Sequence, residues 1–480
     1  MKHVLSLMPL VALISCMSPL HAEPVQGEQL TIFETAGGKT VEAYAGSFQV
    51  PENRSANDSR DLTIKYIRFP ATGDTAGAPI VYLAGGPGGS GIETAKHGRF
   101  PLFMAMREFG DVIAYDQRGT GASNDLPNCT SKQHISASIA MSDGDYFAAQ
   151  QAAFAECLTF WGEAGIDVRG YTTLENAADL DDLRQHLGAE QIDLWGISYG
   201  SHLALAALKQ MDDRLGRVVI TAIEGLDQTV KQPARSDLYF DRLQAAIDTD
   251  PVARAKYPDV KALIARVHTQ LDETPLQLAI PTGSGDTVPY LLQRRNVQQF
   301  TAGLVADPAR VVLMLSVYDS LDKGDTQMIT GLLQQAIDPT DTAISLRPMS
   351  YLMDVASGSG AERRAMLWEQ AETALVGAQM NFSLPLETVD PSLDLGDAFR
   401  TAPVSDVPTL VLSGTLDGRT FLQSASEATA DLSARQTVIV ENAGHNLFMM
   451  SPEITATIQD FMRGENVDGR RLKVALPSFE

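Results

Sequence analysis

The residues with the clearest capacity for chemistry are Gly196, Ile197, Ser198, Tyr199 and Gly200. They form a G-x-S-x-G pattern directly after the apolar run Ile192 to Trp195 and directly before the helix-like stretch Ser201 to Gln210. A serine on such a sharp strand-to-helix turn presents its hydroxyl above the sheet, and the flanking glycines leave room for the neighbouring strand and helix. The spacing therefore predicts that Ser198 is a nucleophile. A serine hydroxyl is a poor nucleophile at neutral pH, so a base must take its proton and a third group must hold that base in one tautomer.

Of the eight histidines, His445 follows the terminal β-like run Thr437 to Glu441 in the loop Asn442, Ala443, Gly444, His445, where a base is expected. His97, His134, His186 and His268 lack that placement, and His202 begins the helix behind Ser198, pointing away from its hydroxyl. For the orienting acid, Asp417 stands in the turn Gly414 to Gly418 after the run Thr409 to Ser413. Asp406 precedes that run, and Asp431 falls in a helical stretch. The order serine, acid, histidine along the chain is that of a nucleophile elbow followed by its partners. Acyl transfer also needs donors aimed at the developing oxyanion. The turn Ala84 to Gly91 exposes backbone amides, and an amide near Gly86 is expected to act with that of Tyr199. The same turn has no Lys followed by Ser or Thr, and no G-x-G-x-x-G opening a helix, so nucleotide binding is a weak rival.

Short β-branched or aliphatic runs alternate with amphipathic stretches, which predicts a mostly parallel sheet. The expected strands are Leu62 to Phe69, Ile80 to Leu83, Val112 to Tyr115, Ile192 to Trp195, Val218 to Ala222, Thr409 to Ser413 and Thr437 to Glu441. Val41 to Val50 reads as an antiparallel edge strand before them. Thr172 and Glu175 have capping-box spacing, Ala177, Leu180, Leu183 and Leu187 recur at helical intervals, and Gly188 supplies the stop. Residues 29–227 and 401–480 are read as the two parts of the core. Residues 228–400 are read as a helical insertion, with helices at Ser236 to Ile247, Val260 to Leu271, Val297 to Leu304 and Ala361 to Val376. A lid over the carboxyl ends of the strands is its expected position, because open α/β sheets bind ligands there. Met314, Met353 and Met366 are read as core filler, with an adaptable pocket lining as the alternative.

The formal charge of −23 is spread along the chain and argues against nucleic acid or anionic lipid as a partner. Residues 1–22 read as an export signal: Lys2 and His3 are followed by the apolar Val4 to Ser15 and a small-residue end at Ala22. The alternative end is a lipobox, Leu13 to Cys16, which places a lipid anchor on Cys16. The expected location is periplasmic or secreted, membrane-anchored in the lipoprotein case. Elsewhere no stretch approaches the roughly 20 apolar residues needed to span a bilayer. An exported chain then keeps Cys129 and Cys157, an even number expected to form a disulfide.

The runs Gly85 to Gly91 (GGPGGSG), Asp116 to Ser123 (DQRGTGAS) and Gly196 to Ser201 (GISYGS), with Asp417 and Gly444-His445, resemble the prolyl aminopeptidase and tripeptidyl aminopeptidase family of α/β-hydrolases. The resemblance extends from about Val41 to Ile223 and from Pro403 to Met462. It implies an α/β-hydrolase fold with helices on both faces of the sheet and an inserted helical cap, no metal or cofactor, and release of N-terminal residues from short peptides by a serine triad. Two departures stand out: Ala84 replaces a histidine common in prolyl aminopeptidases, and Thr420-Phe421 stands where the family often has threonine then proline. Family members hold the substrate ammonium with an acidic residue near the cap. Glu224 resembles such a position, with a structural acid as the alternative. Asp116, Gln117 and Arg118 are expected to tie their turn to the sheet. The same triad serves any acyl transfer, so an esterase or amidase acting on a small acyl substrate is the second reading.

Overall fold

The computed structural model describes residues 23–74, 77–124, 126–282, 285–336 and 342–479. The expected export signal, with Cys16, lies outside the described residues, and no described helix is long and apolar enough to cross a membrane.

Among the described residues, fourteen strands form: β1 (Gln29–Glu34), β2 (Thr40–Pro51), β3 (Asp61–Phe69), β4 (Ile80–Leu83), β5 (Val112–Asp116), β6 (Cys129–His134), β7 (Ile192–Ile197), β8 (Leu215–Thr221), β9 (Leu276–Pro281), β10 (Thr287–Leu292), β11 (Ala343–Leu346), β12 (Thr409–Gly414), β13 (Arg435–Glu441) and β14 (Arg471–Lys473). Ten build one sheet in the order β1-β2-β3-β5-β4-β7-β8-β12-β13-β14. The first three pairings are antiparallel, and the sheet is parallel from β5 through β14. Expected at the edge, Val41 to Val50 instead lies one strand in, because β1 bonds outside β2 with Leu30 opposite Tyr44. The cue is weak there because Leu30 and Ile32 are 59% and 61% exposed, so the apolar positions of β1 do not mark a buried face. β14 closes the other edge.

The central strands are apolar at nearly every position because both faces are covered, as parallel sheets require. Successive side chains divide between the two layers. Val81, Leu83, Ile113 and Tyr115 pack on one face with Leu180, Leu203 and Leu208. Ile80, Tyr82, Val112 and Ala114 pack on the other with Phe103, Trp195 and Phe461. The helix Thr173–His186 covers the first face; the Thr172 side chain accepts from the Glu175 amide at its start, and Gly188 takes φ +66° at its end. The Glu175 carboxylate goes to Arg54.

After β8 the chain leaves the sheet and returns at β12. The excursion holds the helices Pro233–Ile247, Val260–Glu273, Arg294–Leu304 and Pro308–Asp322 and the hairpin β9–β10, with its own core of Tyr239, Phe240, Ile264, Val297 and Met314. The stretch expected to run helical to Val376 ends its helix at Thr373. An earlier excursion, β6 and the helix Asp143–Glu163, joins it: β6 pairs with β11, and Arg295 meets Asp143 at 2.6 Å. That segment falls in the first core part as read from the sequence, so the helical layer is composite. Cys129 and Cys157 form a disulfide that fixes β6 to this helix, and both are buried.

Candidate active site

Ser198 sits between β7 and the helix Tyr199–Met211 with φ 56° and ψ −125°. A non-glycine residue pays for that conformation, so the surroundings must hold it. The Ser198 amide donates to Thr221 O at 3.1 Å, and its carbonyl accepts from the Ser201 hydroxyl at 2.6 Å. The flanking glycines are sterically required. A Cβ on Gly196 would lie 2.5 Å from Gly200 O, and one on Gly200 would lie 2.1 Å from Leu83 O.

Asp417 and His445 follow the neighbouring parallel strands β12 and β13, which brings their loops together. His445 Nδ1 lies 2.9 Å from Asp417 Oδ2. Asp417 Oδ1 accepts from the amides of Arg419 and Thr420 at 2.8 and 2.9 Å, and Oδ2 also accepts from the Thr420 hydroxyl at 2.5 Å. Burial alone pushes the Asp417 carboxyl up; the His445 charge and the hydrogen bonds from His445 and Thr420 outweigh it and hold the group below its usual range. An ionised acceptor at Nδ1 assigns the proton to that nitrogen and leaves Nε2 as an acceptor. Thr420, which in sequence matches the family's threonine ahead of the divergent Phe421, is thus part of the setting of Asp417.

Ser198 and His445 line one cavity of about 770 Å³. Its described lining comes from strand residues Tyr82 and Ile197, from the segments that follow the strands and from the helix Gly91–Lys96, and none of it from 228–400. The insertion instead touches the site from the sides. Gly418 N donates to Val305 O at 3.0 Å and His445 N to Ala306 O at 2.7 Å, so one turn of the insertion holds both loops. On the other side, the Ser350 hydroxyl donates to Pro87 O at 3.0 Å.

The glycine-rich turn lies against the serine: a Cβ on Gly85 would come within 3.0 Å of Ser198 Cβ. Gly86 has φ +129°. The Tyr199 amide belongs to the first residue of its helix, where no preceding turn offers a carbonyl. The turn is tied down as expected. Asp116 Oδ1 accepts from the Ser90 hydroxyl at 2.6 Å and the Ile92 amide at 3.0 Å, and Gln117 Nε2 donates to Ala84 O at 3.0 Å. Arg118, fully buried, forks onto Asp179 at 2.6 and 2.7 Å.

Glu224 is not brought to this cavity. It is buried, and its carboxylate is paired with Lys231 Nζ at 2.7 Å, which favours the structural alternative. His202 bridges Gly225 O and the Ser357 hydroxyl, both at 3.0 Å, while His186 and His268 meet tyrosine hydroxyls. His97 does reach the cavity rim, paired with Glu93 at 3.0 Å. Met314 and Met353 are fully buried and do not line the cavity, whereas Met449 does.

Residues 78–276 match the family model for the alpha/beta hydrolase fold. A curated relative, serine protease Hip1 of Mycobacterium tuberculosis, is 30% identical over 185 residues, 37% of this chain and 35% of that protein. Tripeptidyl aminopeptidase of Streptomyces coelicolor is 24% identical over 235 residues, 46% of this chain and 40% of its own. A probable proline iminopeptidase of Leptolyngbya boryana is 26% identical over 157 residues, 33% and 35% of the two chains. The chain thus spans less than half the length of the curated relatives it matches. Sheet order, elbow geometry and the match over residues 78–276 together give this chain the α/β-hydrolase fold.

Proposed function

We propose that the chain is a serine exopeptidase that releases residues from the free N-terminus of short peptides through an acyl-enzyme on Ser198. The observation that carries this reading is the 2.9 Å contact between His445 Nδ1 and Asp417, with His445 and Ser198 on the wall of one cavity. His445 Nε2 takes the Ser198 proton as Oγ attacks the scissile carbonyl. The amides of Tyr199 and Gly86 receive the oxyanion, each contributing about 3 kcal/mol. The imidazolium, steadied by Asp417, then protonates the leaving amine, and a water activated by the same base releases the acyl group.

The peptidase names of the relatives support the peptide substrate. The disulfide supports an oxidising compartment, periplasmic or secreted, in keeping with an export signal. The test is turnover of aminoacyl and tripeptidyl arylamides, together with labelling of Ser198 by a fluorophosphonate. Labelling of Ser198, together with turnover that vanishes when the substrate is N-acetylated, is the expected result. Labelling with rapid cleavage of short acyl esters and none of free-amine peptides would replace this reading by the esterase one.

A further inference from the structure

Two arginines, Arg99 and Arg419, line the cavity that holds Ser198 and His445, and Arg419 also lines a smaller pocket beside Lys231 and Arg363. Both side chains are half-buried, and among the described residues neither is ion-paired to a carboxylate. Arg99 donates to two neutral oxygens, the Tyr82 hydroxyl and Asn446 Oδ1, and lies 5.4 Å from the ring centres of Tyr82 and Phe448. These contacts aim the fork without neutralising it. Arg419 makes one long contact, Nη1 to Ala302 O at 3.4 Å, although its own amide is bound to Asp417. A guanidinium carries five N–H donors in a planar arrangement that matches a carboxylate, so most donors of both residues remain for a ligand.

The acids nearby are engaged. Glu93, on the same wall, is held by Lys96 and His97 at 3.0 Å each. Both oxygens of Asp417 are occupied as described above. Asp354 is not ion-paired to Arg419, and its carboxyl is pushed well above the usual range, chiefly by burial.

We propose that Arg99 and Arg419 form a carboxylate-binding subsite beside Ser198, so that the preferred substrates are short peptides bearing a free carboxylate close to the scissile bond. This rests on the peptidase reading above. The net charge of −23 repels anions at long range, so recognition here is by short charge-assisted hydrogen bonds rather than by steering. The carboxylate is either the C-terminus of a short peptide or an Asp or Glu side chain next to the cleaved bond.

Matched substrates separate the sources: Ala-Ala-Ala as free acid against its C-terminal amide, and Ala-Ala-Glu-amide against Ala-Ala-Gln-amide. The expected result is a roughly tenfold to hundredfold higher kcat/KM for the charged member of at least one pair, as charge-assisted hydrogen bonds provide. The pair that shows the preference identifies the source. Arg419→Gln and Arg99→Gln should each lower that ratio and Arg419→Lys should restore part of it; a ratio within one variant is independent of any general loss of activity. Equal kcat/KM for both members of both pairs in the unaltered protein overturns the subsite while leaving the peptidase reading intact. Absence of fluorophosphonate labelling and of turnover for every peptide overturns both.

Discussion

The loops above the sheet and the helical insertion are held by different physics. Above the sheet, position is set by backbone: glycines where a Cβ has no room, a serine at positive φ, and a carboxylate bound by two amides, a hydroxyl and an imidazole. The insertion is set by side-chain packing around Tyr239, Phe240 and Met314, on helices started by aspartates such as Asp259 and Asp307. Backbone constraints admit few substitutions, whereas an apolar core accepts many of similar volume. The two regions meet through backbone carbonyls, Val305 O and Ala306 O, and through two side chains, Arg242 Nε on Thr415 O at 2.9 Å and the Ser350 hydroxyl on Pro87 O, so only part of what holds the Asp417 and His445 loops depends on which residues the insertion carries.

The sharpest way to separate the regions is to strike each alone. Asp417→Asn keeps the shape of the loop but disturbs the His445 tautomer, and kcat should fall on the order of 10⁴-fold. Stopped assays on arylamides read that loss, and near-unchanged kcat removes Asp417 from its role. Met314→Ala, in the core of the insertion, should cost about 2 to 5 kcal/mol of stability. At a temperature where the variant is fully folded, its kcat should match that of the unaltered chain. A large drop in kcat there would mean that the interior packing of the insertion, and not only its backbone turn, sets the site.

The same contrast explains what was legible in the sequence. Ser198 and its glycines announce themselves because the reason for them is local: Gly196 faces Gly200, four residues away. The central strands are equally legible, since burial on both faces makes each an apolar run. Pairing of β6 with β11 joins residues some two hundred positions apart and leaves no local trace. Glu224 resembles the family's ammonium-binding acid in sequence, and only its contact with Lys231 shows its charge already matched. Arg99 and Arg419 are silent for the converse reason, because a cation without a carboxylate partner among the described residues has no sequence pattern.

The junction between the regions gives the next smaller effect. In Gly444→Ala the new Cβ would lie 2.6 Å from both Ala306 O and Pro308 Cδ, so either the turn of the insertion or the His445 loop must move. A displacement of the base by about 1 Å costs on the order of 10²-fold, and it should appear in kcat more than in KM. Unchanged kinetics would show that the turn yields freely and that the two regions are not rigidly joined.

Thr420→Val is the mildest test and the most specific to the acid. It removes the hydroxyl that donates to Asp417 Oδ2 while keeping the side-chain shape and the Thr420 amide bond. Activity should fall roughly tenfold, the value of one hydrogen bond to a charged group, and Thr420→Ser should recover most of it. Stability carries an independent signature. Asp417 is lowered in the folded chain, so its ionised form stabilises the fold fully above the unfolded value near 3.9, and that contribution is lost as pH falls through the folded value. Without the hydroxyl the folded value rises toward the unfolded one and the contribution shrinks. The difference in Tm between Thr420→Val and the unaltered chain should be widest above about pH 4 and narrow at lower pH. A difference that stays constant from pH 3 to 7 would assign the effect to packing, and would detach Thr420 from the charge of the carboxylate it bonds.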